Sequence, residues 1–465
     1  MSGFDATVVG AGPNGLSAAV EMARAGRTVL VVEGSEKIGG GARTEELTLP
    51  GFRHDVCSAV HPLAVASPFF SEVGLRVEWV TPPIPFTHPL DGGRVAVMYR
   101  SVEETAAQFG EDRKVYRAIF DPLVDGFGEL IEIVLSPITV RPGHRTLFVR
   151  LAAIGATPAA VLAKRFESEE ARALIAGLAA HSMTSLASLA SASVALVLGA
   201  TAHTLGWPLA RGGSEAIIQA LAEELRSLDG AIETGRTVTS VAELPGDVTL
   251  LDVMPPAAHG LARDRISRSA AQRLLRWKPG AGVFKIDWAL DGPIPWADPV
   301  SPYAGTVHIG GTYEEVAAAE DEVCAGSHPE RPFVLLSQPS LFDGSRAPAG
   351  KHTAWAYCHV PNGSTADMTE AIEDQVERFA PGFRDLVLDR HTRNASEHQA
   401  YNPNYVGGDI GGGAFGLGKI LQIGAKRPYK LGGGVFLCSS ATPPGAGVHG
   451  MCGYHGARAA LGHTG

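Results

Sequence analysis

At 465 residues the chain is too long for one simple core, and roughly 150 residues per domain predicts about three structural units. Hydrophobic residues make up 45% and charged residues 19%, the balance of a soluble globular protein. A formal charge of -10 with no lysine/arginine run excludes a polyanion partner, so no nucleic acid is expected.

The first predicted unit is "FDATVVGAGPNGLSAAVEMARAGRTVLVVEG", residues 4–34: an apolar strand, a glycine turn, a helix and a second apolar strand. Gly10, Gly12 and Gly15 form G-x-G-x-x-G directly after the strand, with Pro13 and Asn14 inside the turn. Gly10 permits the tight turn, Gly12 lets backbone approach a pyrophosphate, and Gly15 lets the helix pack on the sheet. Leu16, Ala19, Val20 and Ala23 give that helix an apolar stripe, and Gly26 ends it. The strand Thr28 to Val32 ends in Glu33, whose carboxylate suits both hydroxyls of an adenosine ribose and repels a 2′-phosphate. Strand, helix, strand and acid in register predict a dinucleotide site.

Directly after the acid the chain reads "GSEKIGGGARTEE". An acid followed by the pair Gly39 and Gly40 resembles the second fingerprint of flavoproteins of the glutathione reductase and amine oxidase type. In those proteins this segment passes over the FAD pyrophosphate. The resemblance makes Glu33, Gly34, Gly39, Gly40, Gly41, Arg43 and Thr44 expected FAD contacts, with Arg43 as a cationic fork to phosphate.

Farther on, residues 173–210 carry no charge. Serines, threonines and two histidines dilute the run below what a transmembrane helix needs, and Gly199 and Gly206 break it. A buried helical layer lining an apolar cavity is predicted instead; peripheral contact with a membrane through nearby helices stays open. "GGSEAIIQALAEELRSLDG" is an amphipathic helix with Ile217, Leu221, Leu225 and Leu228 on one face and Ser214 as its expected N-cap. "GRTVTSV" and "DVTLLDV" follow as expected strands, ended by Pro255-Pro256. "VFKIDWAL", residues 283–290, alternates with period two; further strands near 306–310, 332–338 and 352–360 complete an antiparallel sheet. A helix near 366–379 stops at Pro381-Gly382. The five cysteines (Cys57, Cys324, Cys358, Cys438, Cys452) form no CxxC, so neither a zinc knuckle nor a redox dithiol is written here, and no metal site is expected. Scattered thiols, with no basic apolar leader before the first strand, predict a cytoplasmic protein.

"GFRHDVCSAVHPLAVASPFF", "GVFKIDWALDGPIPW", "YVGGDIGGG" and the closing "GGGVFLCSSATPPGAGVHGMCGYHGARAAL" resemble the phytoene desaturase-like FAD oxidoreductases. That group includes carotene desaturases, carotene isomerase, retinol saturase and pyridine nucleotide-disulfide oxidoreductase domain proteins. The resemblance implies an α/β fold: a Rossmann-like FAD-binding domain with an inserted α+β substrate domain. The first would be discontinuous over 1–90, 207–262 and 400–465. The second would occupy 91–206 and 263–399, mostly helical and then an antiparallel sheet. It implies that the strand after 235 passes the adenine, making Val238 a backbone contact. The closing strand, turn and helix (448–461) would return to the flavin, adding Ser440, Gly447, Val448 and Met451 to the cofactor set. The helix N-terminus would face the anionic reduced flavin.

The implied activity is desaturation, saturation or isomerisation at C–C bonds of a small apolar, isoprenoid or lipid-like substrate, with hydride passing through flavin N5. His61 and His449 are the titratable groups expected near the ring, and Tyr401 and Arg211 are weaker candidates. The chain is somewhat short for that group, so substrate size is not inherited. Lacking a second glycine fingerprint for NAD(P)H, the chain points to a quinone, oxygen or another carrier as electron acceptor. An amine or amino-acid oxidase shares the FAD fingerprints and is the alternative; a non-catalytic prenyl or lipid carrier on the same fold is a third.

Overall fold

The structure, a computed structural model, describes residues 3–137, 145–416 and 428–462. Strands Ala6–Val9 and Val29–Val32 are wholly apolar but for Thr7 and buried throughout, which suits the centre of a parallel sheet covered on both faces. That sheet has six strands in the order Lys430–Gly432, Val435–Leu437, Val248–Leu251, Ala6–Val9, Val29–Val32, Ala231–Glu233. Its neighbours run parallel except the first pair. Helices Pro13–Arg24, Glu215–Ser227 and Met451–Ala460 cover one face, where Leu16, Val20, Ile217, Leu221 and Met451 join Val8, Val31 and Leu250 in one core. On the other face Val9, Val32, Leu251 and Leu437 pack with Val238, Val241, Ala258 and Leu274.

A second sheet has seven strands in the order Val387–Arg393, Gly282–Leu290, His352–Val360, Val334–Ser337, Ala304–Ile309, Ile84–Leu90, Arg94–Met98. Only Ala304–Ile309 and Ile84–Leu90 pair in parallel. Residues 84–90, expected at the end of the first cofactor-domain segment, thus hydrogen-bond within this second sheet. The strand Gly282–Leu290 is buried along its whole length, so Lys285 and Asp287 lie inside and pair with each other, with His54 3.6 Å from Asp287.

The charge-free stretch builds the C-terminal part of helix Glu169–Ala180 and helix Ser191–Leu205. Leu174, Leu178 and Leu196 from these helices share a core with Phe86, Phe120 and Trp355. Among the described residues no helix is long and apolar enough to cross a membrane. Two local expectations differ. The strand beside Val29–Val32 is Ala231–Glu233, and "GRTVTSV" is irregular until the short turn Val241–Glu243. Ser214 precedes its helix without capping it, because its hydroxyl turns to His61 and Ser58 instead.

Candidate active site

The glycine turn closes on itself. A Cβ on Gly15 would stand 2.0 Å from the Gly10 carbonyl oxygen, so the helix can start there only without a side chain. Gly12 precedes Pro13 and offers no side-chain cap, leaving first-turn N–H groups for another acceptor. One is taken: Gly15 N–H donates to Asp252 Oδ2 at 2.8 Å. Asp252 sits at the C-terminal end of the strand beside Ala6–Val9, and burial, with Glu33 adding repulsion, pushes its carboxyl up to about 7. Asn14 Oδ1 is buried with no partner among the described residues.

Glu33 leaves the end of the second strand and holds two loops: Oε2 accepts Ala11 N–H at 2.8 Å and Oε1 accepts Ser35 N–H at 2.9 Å. Gly34 faces Thr237. The Gly39–Gly41 loop lies directly on the first turn, for a Cβ on Gly40 would come within 3.3 Å of the Gly12 Cα. Arg43 is buried, and its guanidinium donates to the Lys37 carbonyl at 2.6 Å and the Ile38 carbonyl at 3.2 Å. It braces the loop, 3.8 Å from Glu33, and lies over the Tyr401 ring. Thr44 donates to Asp55 at 2.8 Å.

At the other end of the chain Ser440, Gly447 and Val448 reach the same wall. The following helix begins at Met451, three residues later than expected, and His449 caps it: its Nδ1 accepts Met451 N–H at 3.0 Å. Gly447, at φ +129°, lies against His449, whose ring a Cβ would approach to 2.9 Å. Three further glycines serve packing. Added Cβ atoms at Gly450, Gly453 and Gly456 would meet Ser17 Oγ at 2.2 Å, the Asn14 carbonyl at 1.8 Å and Cys438 Cβ at 2.7 Å. The C-terminal helix therefore docks on helix Pro13–Arg24 through bare backbone.

These loops form one wall of a cavity of about 1270 Å³ including its mouth, where Gly12, Pro13, Asn14, Gly40 and Gly41 stand beside Ser440, Gly447 and Val448. Facing them are Leu198, Trp207, Leu335, Trp355, Tyr357 and His181, from the helical layer and the second sheet. Trp355 and Tyr357, two apart on one strand, present rings 6.1 Å apart and within 6° of parallel. Among the described residues two carboxylates line the cavity, and both hold backbone: Asp252 as above, and Asp409 accepting the N–H groups of Gly280, Gly411 and Gly413 at 2.7–2.8 Å. Cys57 also lines it, and burial pushes its thiol up, away from the reactive thiolate.

The two histidines singled out by sequence stand behind this lining rather than in it. His61 Nε2 is 2.8 Å from Ser214 Oγ; that hydroxyl donates to the Ser58 carbonyl, so it accepts the His61 proton. Burial holds His61 and His449 each down to about 4, neutral at physiological pH. Of the other expected cofactor contacts, Gly10, Gly15, Glu33, Gly34, Gly39, Arg43, Thr44, Val238 and Met451 are not among the residues lining this cavity, and Val238 packs in the core with Val9 and Val32. Tyr401 is stacked under Arg393 at 4.2 Å, and Arg211 is half exposed and paired with Glu78. Sequence reasoning missed Asp252, although an acid closing a strand next to the first one lies where open α/β sheets bind ligands. Asn404, Tyr405 and His181 come from distant stretches with no spacing to announce them.

Residues 8–72 match the NAD(P)-binding Rossmann-like domain family. Pyridine nucleotide-disulfide oxidoreductase domain-containing protein 2 of Rattus norvegicus is 27% identical across 98% of this chain and 92% of its own length. An oxidoreductase from Methanosarcina mazei has the same fold, with a TM-score of 0.68 at 16% identity over 98% of this chain and 100% of that one. Cyclohexylamine oxidase from Brevibacterium oxydans follows with a TM-score of 0.57 at 16% identity, covering 99% of each chain. The chain is thus similar over nearly its whole length to pyridine nucleotide-disulfide oxidoreductase domain-containing protein 2, and it carries a Rossmann-like dinucleotide-binding domain in an amine oxidase-type α/β fold.

Proposed function

We propose that the protein is an FAD-dependent oxidoreductase of the phytoene dehydrogenase-like kind, acting on C–C bonds of an apolar, isoprenoid or lipid-like substrate. The residues present fit the cofactor: two abutting glycine loops leave backbone where a Cβ would intrude, and Asn14 Oδ1 is an unpartnered buried acceptor beside them. Glu33 would take the adenosine ribose, Gly12 with Gly40 the pyrophosphate, and Gly447 with Val448 the ring end. Bound FAD supplies a two-electron acceptor for hydride. The chain's own part is to orient a C–H bond and exclude water, which the apolar rings opposite support.

The observation that carries the substrate class is the continuity of the glycine wall with the Leu198–Trp207–Leu335–Trp355 surface in one cavity. Of the carboxylates among the described lining residues, Asp409 is taken up by three backbone N–H groups and Asp252 accepts Gly15 N–H at Oδ2 and keeps its proton up to about 7, which disfavours it as an ammonium partner below that pH. One feature favours a second reading: the parallel Trp355–Tyr357 pair suits a cation over its faces, as an amine oxidase would need. Re-oxidation by a quinone, oxygen or another carrier belongs to the same proposal.

Anaerobic mixing of the purified protein with isoprenoids, acyl lipids and amines, followed at the flavin absorption bands, tests both readings. Bleaching by an isoprenoid or acyl lipid supports the first. Bleaching by amines alone replaces it with the second, and a protein purified without flavin sinks both.

A further inference from the structure

We propose that Asp252 is a proton-bearing member of the dinucleotide site, so that the protein binds a pyrophosphate together with a proton. This rests on the cofactor reading above and goes beyond it by assigning a residue and a proton to that site. The three fingerprint glycines are built against this one residue. A Cβ on Gly10 would come within 2.9 Å of the Asp252 carbonyl oxygen, and Cβ atoms on Gly12 and Gly15 would each stand 3.1 Å from its Oδ2. Oδ2 also accepts Gly15 N–H, which sets the carboxyl at the N-terminus of helix Pro13–Arg24. Asp252 lines the cavity there together with Gly12, Pro13 and Asn14. Asn14 Oδ1, buried in the same turn, has no partner among the described residues, and a ligand hydroxyl suits it as donor.

An anion received by this turn draws on the same partial positive charge that the carboxyl already uses. Two negative groups at one helix end repel, and a pyrophosphate diester stays ionised at any physiological pH. The carboxyl is therefore the one to be neutralised. Its neutral form keeps the local bond, because the carbonyl oxygen of an acid still accepts Gly15 N–H. Burial, with Glu33 adding repulsion, already pushes Asp252 up to about 7, and a neighbouring pyrophosphate pushes it higher. Below about 7 the proton is held with or without ligand, and affinity does not depend on pH. Above that value the protein must regain a proton from solvent as it binds, so affinity falls by up to about tenfold per pH unit.

The surroundings leave this change to Asp252. Glu33 ends the strand beyond Ala6–Val9 and lies 3.8 Å from Arg43. Burial pushes the Cys438 thiol well up, with Cys452 beside it. From the loop after 401, Asn404 donates to the Asp252 carbonyl, and burial pushes the Tyr405 phenol up. Elsewhere on the cavity Asp409 is held by N–H groups, the Cys57 thiol is pushed up, and His181 is held down to about 3. The Cys438 and Cys57 thiols, the phenol and the imidazole keep their charge near neutrality.

ADP-ribose is the probe, since it carries the pyrophosphate with neither a flavin nor a terminal phosphate. In calorimetric titrations of apoprotein, its Kd should rise about 5- to 30-fold from roughly pH 6 to roughly pH 8.5. Repeated in two buffers of different ionisation enthalpy, the titrations should show uptake approaching one proton at the upper pH and almost none at the lower. Asp252→Asn keeps an acceptor for Gly15 N–H and should bind equally at both, with no uptake. In infrared spectra of the holoprotein, the C=O stretch of a protonated carboxyl should persist at the upper pH and vanish in Asp252→Asn. A wild-type Kd that does not change, or a slope retained by the variant, overturns the proposal and leaves Asp252 a helix cap alone. Should the variant not fold, proton uptake by the wild type decides. Failure of both ADP-ribose and FAD to bind is a different outcome, and it sinks the dinucleotide reading itself.

Discussion

The two walls of the cavity are made of different material. The wall of residues 12–14, 40–41, 440 and 446–448 rests on backbone brought close to backbone, for Gly15 cannot gain a methyl without striking the Gly10 carbonyl. The facing wall is side chains, Leu198, Trp207, Leu335, Trp355 and Tyr357, drawn from a helix, the segment after it and two strands. A backbone wall fixes residue types at fixed spacings, whereas a side-chain wall asks only for volume and polarity. The first tolerates almost no change. The second can be altered residue by residue to admit another substrate.

Gly15→Val should break that contrast most severely. With the clash set by backbone on both sides there is nothing to relax, so destabilisation of about 3 kcal/mol or more is expected, together with loss of flavin. Thermal melts and released-flavin assays measure both, and a variant with wild-type melting and occupancy would refute the account of this turn.

Asp252 comes next. Folded, its carboxyl keeps its proton up to about 7, against an ordinary value of 3.8. Below that ordinary value both states are protonated. Between 3.8 and about 7 only the folded state holds the proton, so this group makes stability fall as pH rises through the window, by about 1.4 kcal/mol per unit. Asp252→Asn keeps an acceptor for Gly15 N–H and should flatten that part of the pH profile. Parallel wild-type and variant profiles would show that the proton is not where we put it.

Glu33→Gln should weaken dinucleotide binding by about 1.5–3 kcal/mol, since charge-assisted bonds to ribose become neutral ones. Titration of apoprotein with FAD gives the shift directly; unchanged affinity would remove Glu33 from the site. On the facing wall Trp355→Phe should leave flavin occupancy intact and shift preference among panel substrates by roughly tenfold. If flavin is lost instead, the two walls are not separable. The smallest effect is expected away from both: Gly260 is exposed within helix Pro255–Ala262 with nothing near it, and Gly260→Ala should stabilise by about 0.4–1 kcal/mol in melts.

This difference of material also explains what could be read in advance. Gly10, Gly12, Gly15 and Glu33 announce themselves because local geometry demands them in order. Gly39, Gly40, Ser440, Gly447 and Val448 needed a family resemblance, since their partner is another loop. The strand 352–360 and the helix after 368 were legible from periodicity and the proline-glycine stop. The strand expected at "GRTVTSV" was not, because pairing with Val29–Val32 is decided by where the chain leaves helix Glu215–Ser227, and Ala231–Glu233 arrives first. His61 and His449 drew attention by lying near the right loops, yet hydrogen bonds to Ser214 and Met451 N–H occupy one nitrogen of each. His181, flanked by alanines and serine, carried no mark beyond lying in an uncharged run.

The bare crossing of Gly453 on Asn14 has a consequence for assembly during synthesis. The glycine turn leaves the ribosome well before the helix that pins its first turn. At roughly 5–20 residues per second the N-terminal strands wait tens of seconds for that partner. Contacts of such sequence separation close slowly and late. The turn is therefore completed only once the helix Met451–Ala460 has been made, and until then two apolar strands, Ala6–Val9 and Val29–Val32, must be kept from pairing with other chains.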